Sequence, residues 1–188
     1  MVGDSIVRDV KSRDGVLIDC WPGRKLTQLV GMMKEPKRYD LRGADVVIVH
    51  GGTNDLGKNT VEQMMDSVKQ LVESYRRQYS GHLGFSCIIP RPRDEGSSGA
   101  QRQAFNTQLM EFCREKGCLC LRTFAPFWKA GCPRRELFKP DGLHLRPWGP
   151  APTGAFILQN YFRSQLSPKV LIPKLRELEW TFQGVERQ

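Results

Sequence analysis

Three short clusters of chemically able residues punctuate this chain: Gly3-Asp4-Ser5 at its start, Gly52-Thr53-Asn54-Asp55 in the middle and Asp141-Gly142-Leu143-His144 towards the end. A serine hydroxyl is a poor nucleophile at its free pKa and needs a base, and the base needs a partner that fixes its tautomer. Asp141 and His144 can meet both needs locally. With Gly142 between them to permit a tight turn, the carboxylate can reach one ring nitrogen while the other faces Ser5. Charge developing on an attacked acyl oxygen needs donors: backbone N–H groups and the positive end of a helix expected to begin at Ser5, the side-chain amide of Asn54, and the backbone N–H of Gly23 in Trp21-Pro22-Gly23-Arg24. Alone, Ser5 reads as a helix cap and Asn54 as a turn residue. In combination they describe acyl transfer through an activated serine.

These residues need elements to position them. Residues 45–50 carry Val46-Val47-Ile48-Val49, an unbroken apolar run that predicts a central strand covered on both faces. Shorter strands are expected at 16–19, at 83–89 before Pro90, and at 118–123. Between them, helical spacing predicts helices over 24–33, 60–79, 100–116 and 153–166, with Asn59 or Thr60 capping the second. Alternating strands and helices predict an α/β fold with a parallel sheet between helical layers, whose ligands bind at the carboxyl ends of the strands. The three clusters fall at such ends. Asp4 and Asp55 read as structural, His50 as a satisfied structural histidine and His82 as solvent-exposed. Trp21 and Trp148 are candidates for lining an acyl pocket, Trp148 the better of the two, although large aromatics more often anchor packing. Residues 91–99 read as a polar loop at the catalytic edge, either a mobile rim or a disordered connector, and residues 167–188, with two prolines, as an irregular extension.

Composition sets the bounds. A chain of 188 residues is long enough for one domain, here 1–166 with a C-terminal extension or docking tail at 167–188. No run of apolar residues is long enough to span a bilayer and no secretory leader is visible, so a soluble, cytoplasmic chain is expected. Six cysteines without paired C-x-x-C spacing read as reduced, mostly buried thiols, and neither a cofactor nor an obligatory metal is expected. The formal charge of +9 favours polyanions or anionic membrane surfaces, with the basic residues in small groups such as 34–38, Arg76-Arg77, Arg91 with Arg93, and Arg134-Arg135.

Gly3-Asp4-Ser5, the Gly23 turn, Gly52-Thr53-Asn54-Asp55 and Asp141-x-x-His144, in that order over residues 3–144, resemble the four signature blocks of the SGNH, or GDSL, hydrolase superfamily. The resemblance implies a three-layer α/β/α sandwich with a flavodoxin-like sheet and a metal-independent esterase or lipase-like activity on an acetyl or acyl-lipid ester. It implies Ser5 as nucleophile, His144 and Asp141 as base and orienter, and Ser5, Gly23 and Asn54 as the oxyanion hole. A narrower likeness, through Val2-Gly3-Asp4-Ser5-Ile6-Val7-Arg8, Pro22-Gly23-Arg24, His50-Gly51-Gly52-Thr53-Asn54-Asp55-Leu56 and Asp141-Gly142-Leu143-His144-Leu145, is to the esterase domains of vertebrate non-LTR retrotransposon first-open-reading-frame proteins and host genes derived from them. That likeness implies RNA or membrane surroundings. Only Met1 and Val2 precede Gly3, so the first strand is expected to be truncated, the chain to be a fragment or shortened product, and the sheet to carry a gap. Two alternatives stand beside the esterase: a catalytically silent module of the same fold that binds RNA or membrane surfaces, and a vestigial interaction module.

Overall fold

Residues 46–49 are β-branched throughout and suit a pleated surface enclosed on both sides. The computed structural model describes residues 1–12, 15–35, 41, 43–94, 97–149 and 152–185, with side chains as far as 178 in the last helix. Lys37 and Arg38 of the 34–38 basic group, and the side chains of Trp180 and Phe182, lie outside the described residues. The apolar run forms β3 (Val46–His50). It is the middle strand of a five-stranded parallel sheet, flanked by β1 (Val2–Gly3) and then β2 (Asp19–Cys20) on one side, and by β4 (His82–Ser86) and then β5 (Leu119–Leu121) on the other.

Helices cover both faces. The side chains of α1 (Leu26–Met33), α2 (Val61–Arg76) and α3 (Ser97–Glu115) join Val47, Val49, Leu83 and Phe85 in one core, built on Leu29, Met64, Val68, Leu71 and Phe105. On the opposite face Ile48, Leu119 and Leu121 meet Leu158 and Phe162 of α4 (Gly154–Gln165). Period-two alternation along β3 therefore feeds two cores, which is why its sequence shows no polar gap. A small antiparallel hairpin, β6 (Trp128–Lys129) with β7 (Cys132–Pro133), lies outside the sheet. The architecture is the three-layer α/β/α sandwich expected from the sequence.

β1 is as short as expected, yet it is an interior strand: Val2 pairs with Asp19 and Val49, and Gly3 with Cys20 and His50. A Cβ at Gly3 would come within 2.8 Å of Val7 and 3.1 Å of the His50 carbonyl oxygen, so only glycine lets the next turn fold back so tightly. Because β1 offers two residues, β2 pairs over two, displaced from the predicted 16–19 to Asp19–Cys20, and Leu17 is left exposed. Below the pairing, a cleft of about 630 Å³ runs between β2 and β3, lined by Met1, Val46, Ile48, Leu166 and Leu171 among others.

Two expectations need correction. The 91–99 stretch is not all loop, since Ser97 already begins α3, and Arg91 is buried at 4% exposure in a bidentate pair with Asp94. Residues from 167 onward form a helix, α5 (Pro168–Val185), rather than irregular chain. Pro168 stands at its first position, where the missing N–H breaks nothing, and Leu171, Leu175 and Leu178 pack on the second core.

Candidate active site

Ser5 stands one residue beyond the end of β1, after Asp4, and opens a single 3-10 turn, Ser5–Val7. Asp4 caps that turn, its Oδ1 accepting the Ile6 N–H at 2.9 Å, while its own N–H donates to the His50 carbonyl at 3.1 Å. Ser5 is thereby tied to β3 and largely buried, at 8% exposure. The turn, three residues long, is too short to bring a helix macrodipole to bear on the Ser5 hydroxyl, contrary to the helix start expected there.

The donor candidates stand after neighbouring strands. Gly23 follows β2 with φ of +75°, a conformation that favours glycine, in a turn closed by the Arg24 N–H on the Trp21 carbonyl. Asn54 follows β3, and its Nδ2 donates one proton to the Arg24 carbonyl at 3.0 Å, joining the two donor loops and leaving the amide a second proton to offer. Asp55 holds the same loop to α1. Its Oδ2 accepts the Leu26 N–H at 3.0 Å and its Oδ1 the Asn59 amide at 2.6 Å; burial nonetheless pushes its pKa above the usual carboxylate range, against those two bonds.

Asp141 and His144, the candidate acid–base pair, meet within one turn. His144 Nδ1 lies 2.7 Å from Asp141 Oδ2, while Asp141 Oδ1 accepts the N–H groups of Leu143 and His144 at 2.9 Å each. Partial burial would raise the Asp141 pKa, but the ring and amide hydrogen bonds outweigh it and hold the carboxyl at about 2. With Nδ1 donating to this carboxylate, Nε2 is the nitrogen free to accept a proton. Gly142 makes the turn at φ +62°, and a Cβ on it would lie 3.0 Å from the Arg93 backbone nitrogen.

Sequence reasoning missed what joins this turn to the sheet. Arg93 N–H donates to the Gly142 carbonyl at 3.3 Å, and two residues earlier Arg91 Nη1 donates to the Thr53 carbonyl at 3.0 Å. Residues 91–93 thus bridge the Asn54 loop and the His144 loop. Asn106 of α3 extends this frame by bonding both the N–H and the carbonyl of Ile88 at 2.9 Å. Next to Ser5 in sequence, the buried carboxyl of Asp4 interacts with the Thr53 hydroxyl and with His50, whose Nε2 is buried without a hydrogen-bond partner among the described residues and whose Nδ1 lies 2.5 Å from Ser86 Oγ. His50 is structural but only half satisfied. Burial pushes the His50 pKa down and that of Asp4 up, each opposed by the other's charge.

The aromatic candidates have packing partners. Trp21 lies against the first core. Trp148 donates its Nε1–H to the Asp9 carbonyl at 2.9 Å, stands edge-on to Phe156 at 5.3 Å and carries Lys11 over its ring. His82 is half-buried at the start of β4, where strand pairing encloses it, and not the exposed loop residue expected. Cys87, Cys113 and Cys118 are buried, Cys20 and Cys120 partly so, and Cys132 is exposed. Among the described residues, no group of three or more His, Cys, Asp or Glu is placed to hold a metal ion, and no helix is long and apolar enough to cross a membrane.

A parallel α/β/α sheet bearing Ser5 and Asn54 on adjacent strand ends, with an Asp–His pair on a loop tied to one of them, places the chain in the class of α/β/α hydrolase-like domains. The model of the GDSL-like Lipase/Acylhydrolase family matches residues 4–151, and the chain belongs to that family. Among solved structures it is similar to a lipolytic protein of the G-D-S-L family from Veillonella parvula, at 12% identity and TM-score 0.72, covering 89% of this chain and 96% of that one. It is also similar to a variant of an acetylxylan esterase from Geobacillus stearothermophilus, at 13% identity and TM-score 0.65, covering 88% and 92%. These two likenesses concern the fold alone. The esterase domain of the ORF1 protein from the zebrafish ZfL2-1 retrotransposon matches at 28% identity and TM-score 0.48, over 88% of this chain and 96% of that domain. No curated protein matches the sequence significantly.

Proposed function

We propose that the chain is a metal-independent serine esterase acting on carboxylic esters with acetyl or lipid acyl groups. Ser5 Oγ attacks the acyl carbon, its proton passing to His144 Nε2 while Asp141 holds the ring and balances the imidazolium charge. The N–H groups of Ser5 and Gly23 and the free proton of Asn54 Nδ2 receive the oxyanion. His144 then protonates the departing alcohol, and water, activated by the same nitrogen, releases the acid and restores Ser5. The observation that carries this reading is the 2.7 Å contact between His144 Nδ1 and Asp141 Oδ2, in a GDSL-family chain that keeps Ser5 and Asn54 on adjacent strand ends.

The reading as a silent RNA- or membrane-binding module rests on the +9 charge. Retention of Ser5, Asn54, Asp141 and His144 together favours the enzyme. Hydrolysis of p-nitrophenyl acetate and its longer acyl homologues, with the Ser5→Ala variant alongside, tests the choice. Turnover by the parent and none by the variant is expected. A folded parent no faster than the variant would overturn the esterase reading.

A further inference from the structure

The loop that bridges the catalytic turns also walls a separate cleft. Arg91, Asp94, Arg102, Trp128 and Arg135 line a space of about 500 Å³, and Arg102 and Trp128 also border a second space of about 590 Å³, walled by Met110, Phe124 and Ala125. The first is the more polar of the two and carries Arg91, Arg102 and Arg135 against the carboxylate of Asp94; the second has the larger apolar share, although Gln103, Asn106 and Thr107 also line it. They meet at Arg102.

Arg102 is the anomaly. It projects from α3 with only 6% of its surface exposed, and its Nε is buried with no hydrogen-bond partner among the described residues. The carboxylate that acts on it, Asp94, is engaged by Arg91 through both oxygens. What Arg102 does have is an aromatic face, its Cζ lying 5.4 Å from the centre of the half-exposed Trp128 ring. Burial pushes its pKa down and Asp94 opposes the shift, which is the signature of a cation partly stripped of water without a full counterion. A buried guanidinium without a carboxylate is costly, and a planar donor fork matches oxyanions that can accept two bonds.

We infer that this double cleft binds an anionic amphiphile, its carboxylate or phosphate-monoester head on Arg102 and its alkyl chain against Met110, Phe124 and Trp128. The site is independent of the chemistry at Ser5. Its head-group half shares the 91–94 loop with the candidate active site, so an occupant touches the segment that carries the Thr53 and Gly142 contacts.

Isothermal titration of the full chain with octanoate and with octyl phosphate, below their micelle concentrations, tests the inference, the stronger of the two identifying the head group. Inorganic phosphate and the uncharged octyl glucoside probe head and chain separately. One-to-one binding of at least one charged amphiphile is expected, at least tenfold tighter than octyl glucoside or phosphate. Arg102→Met is expected to weaken it at least tenfold while raising the unfolding temperature of the free protein, because an unpaired buried charge is removed. Trp128→Ala, in the exposed hairpin, keeps the test open if that variant fails to fold, and should also weaken binding. Absence of binding to both charged amphiphiles, equal affinity for octyl glucoside, or less than tenfold loss in a folded Arg102→Met would each overturn the inference.

Discussion

Asp141 divides its carboxylate between two tasks, one oxygen pinning the backbone of the turn and the other orienting the His144 ring. Replacing it with asparagine keeps the size but presents an amide to the ring on one side, so the wrong tautomer is favoured; a loss on the order of 10²–10⁴-fold in kcat is expected. Stability should report the same carboxylate. Its pKa is lowered to about 2 in the fold, below the ordinary value of about 3.9 for the unfolded chain, so its contribution is fully present above pH ~4 and is lost as pH falls towards 2. Thermal unfolding of parent and Asp141→Asn should therefore differ at about pH 6 and converge as the pH falls from about 4 towards 2; a constant gap would show that the charge is not responsible. Under the proposed mechanism Asn54→Ala removes one oxyanion donor and should lower kcat by roughly 10²–10³-fold with KM little changed, read from initial rates. The Asp141–His144 pair was legible because its spacing is local. Arg91 and the His50–Ser86 contact were not, since their partners lie 38 and 36 residues away and nothing in the spacing announces them.

Among the elements, the helices announced themselves through both period and cap. Thr60 accepts the Gln63 N–H at 3.3 Å while Gln63 returns a bond to the Thr60 N–H at 2.9 Å, and Thr153 accepts the Phe156 N–H at 3.4 Å. α5 was hidden by Pro173, which argues against a helix in any sequence reading yet stands inside this one. Tertiary packing of Leu171, Leu175 and Leu178 on the second core outweighs the missing backbone bond. Pro173 is itself exposed, so alanine there restores a helical hydrogen bond without disturbing the core. The gain in the helix, up to about 3 kcal/mol, is offset by the greater freedom of the unfolded chain, up to about 1 kcal/mol. A net stabilisation of about 1–2 kcal/mol is expected in urea unfolding, and a destabilisation would mean that the proline fits a bend the packing requires. The shifted β2 was illegible for a different reason: its bounds depend on how much of β1 is available to pair, a property of another strand.

For the molecule as a whole, the order of elements and the sides of the sheet they cover followed from apolar periodicity, while the polar interior depends on contacts only the assembled fold creates. The buried pair Asp4 and His50, at the join between β1 and β3, makes that interior visible to pH. Burial lowers the His50 pKa below its ordinary value of about 6.5. The unfolded chain therefore takes up a proton before the folded one does, and the stability contributed by a neutral His50 is present above that value and lost as pH falls from about 6.5 through the folded pKa. Asp4 and Asp55 act in the opposite sense: their raised pKa values make the folded state the better proton acceptor, so they lend stability at low pH and withdraw it as pH rises. A carboxylate count alone would therefore misjudge the acid limb. In urea unfolding between about pH 7 and pH 5, acidification should cost the parent more stability than it costs His50→Gln, whatever the absolute stability of the variant, because glutamine has no proton to take up. Parallel slopes would show that His50 does not titrate across the unfolding transition, and would move the origin of acid sensitivity to other groups.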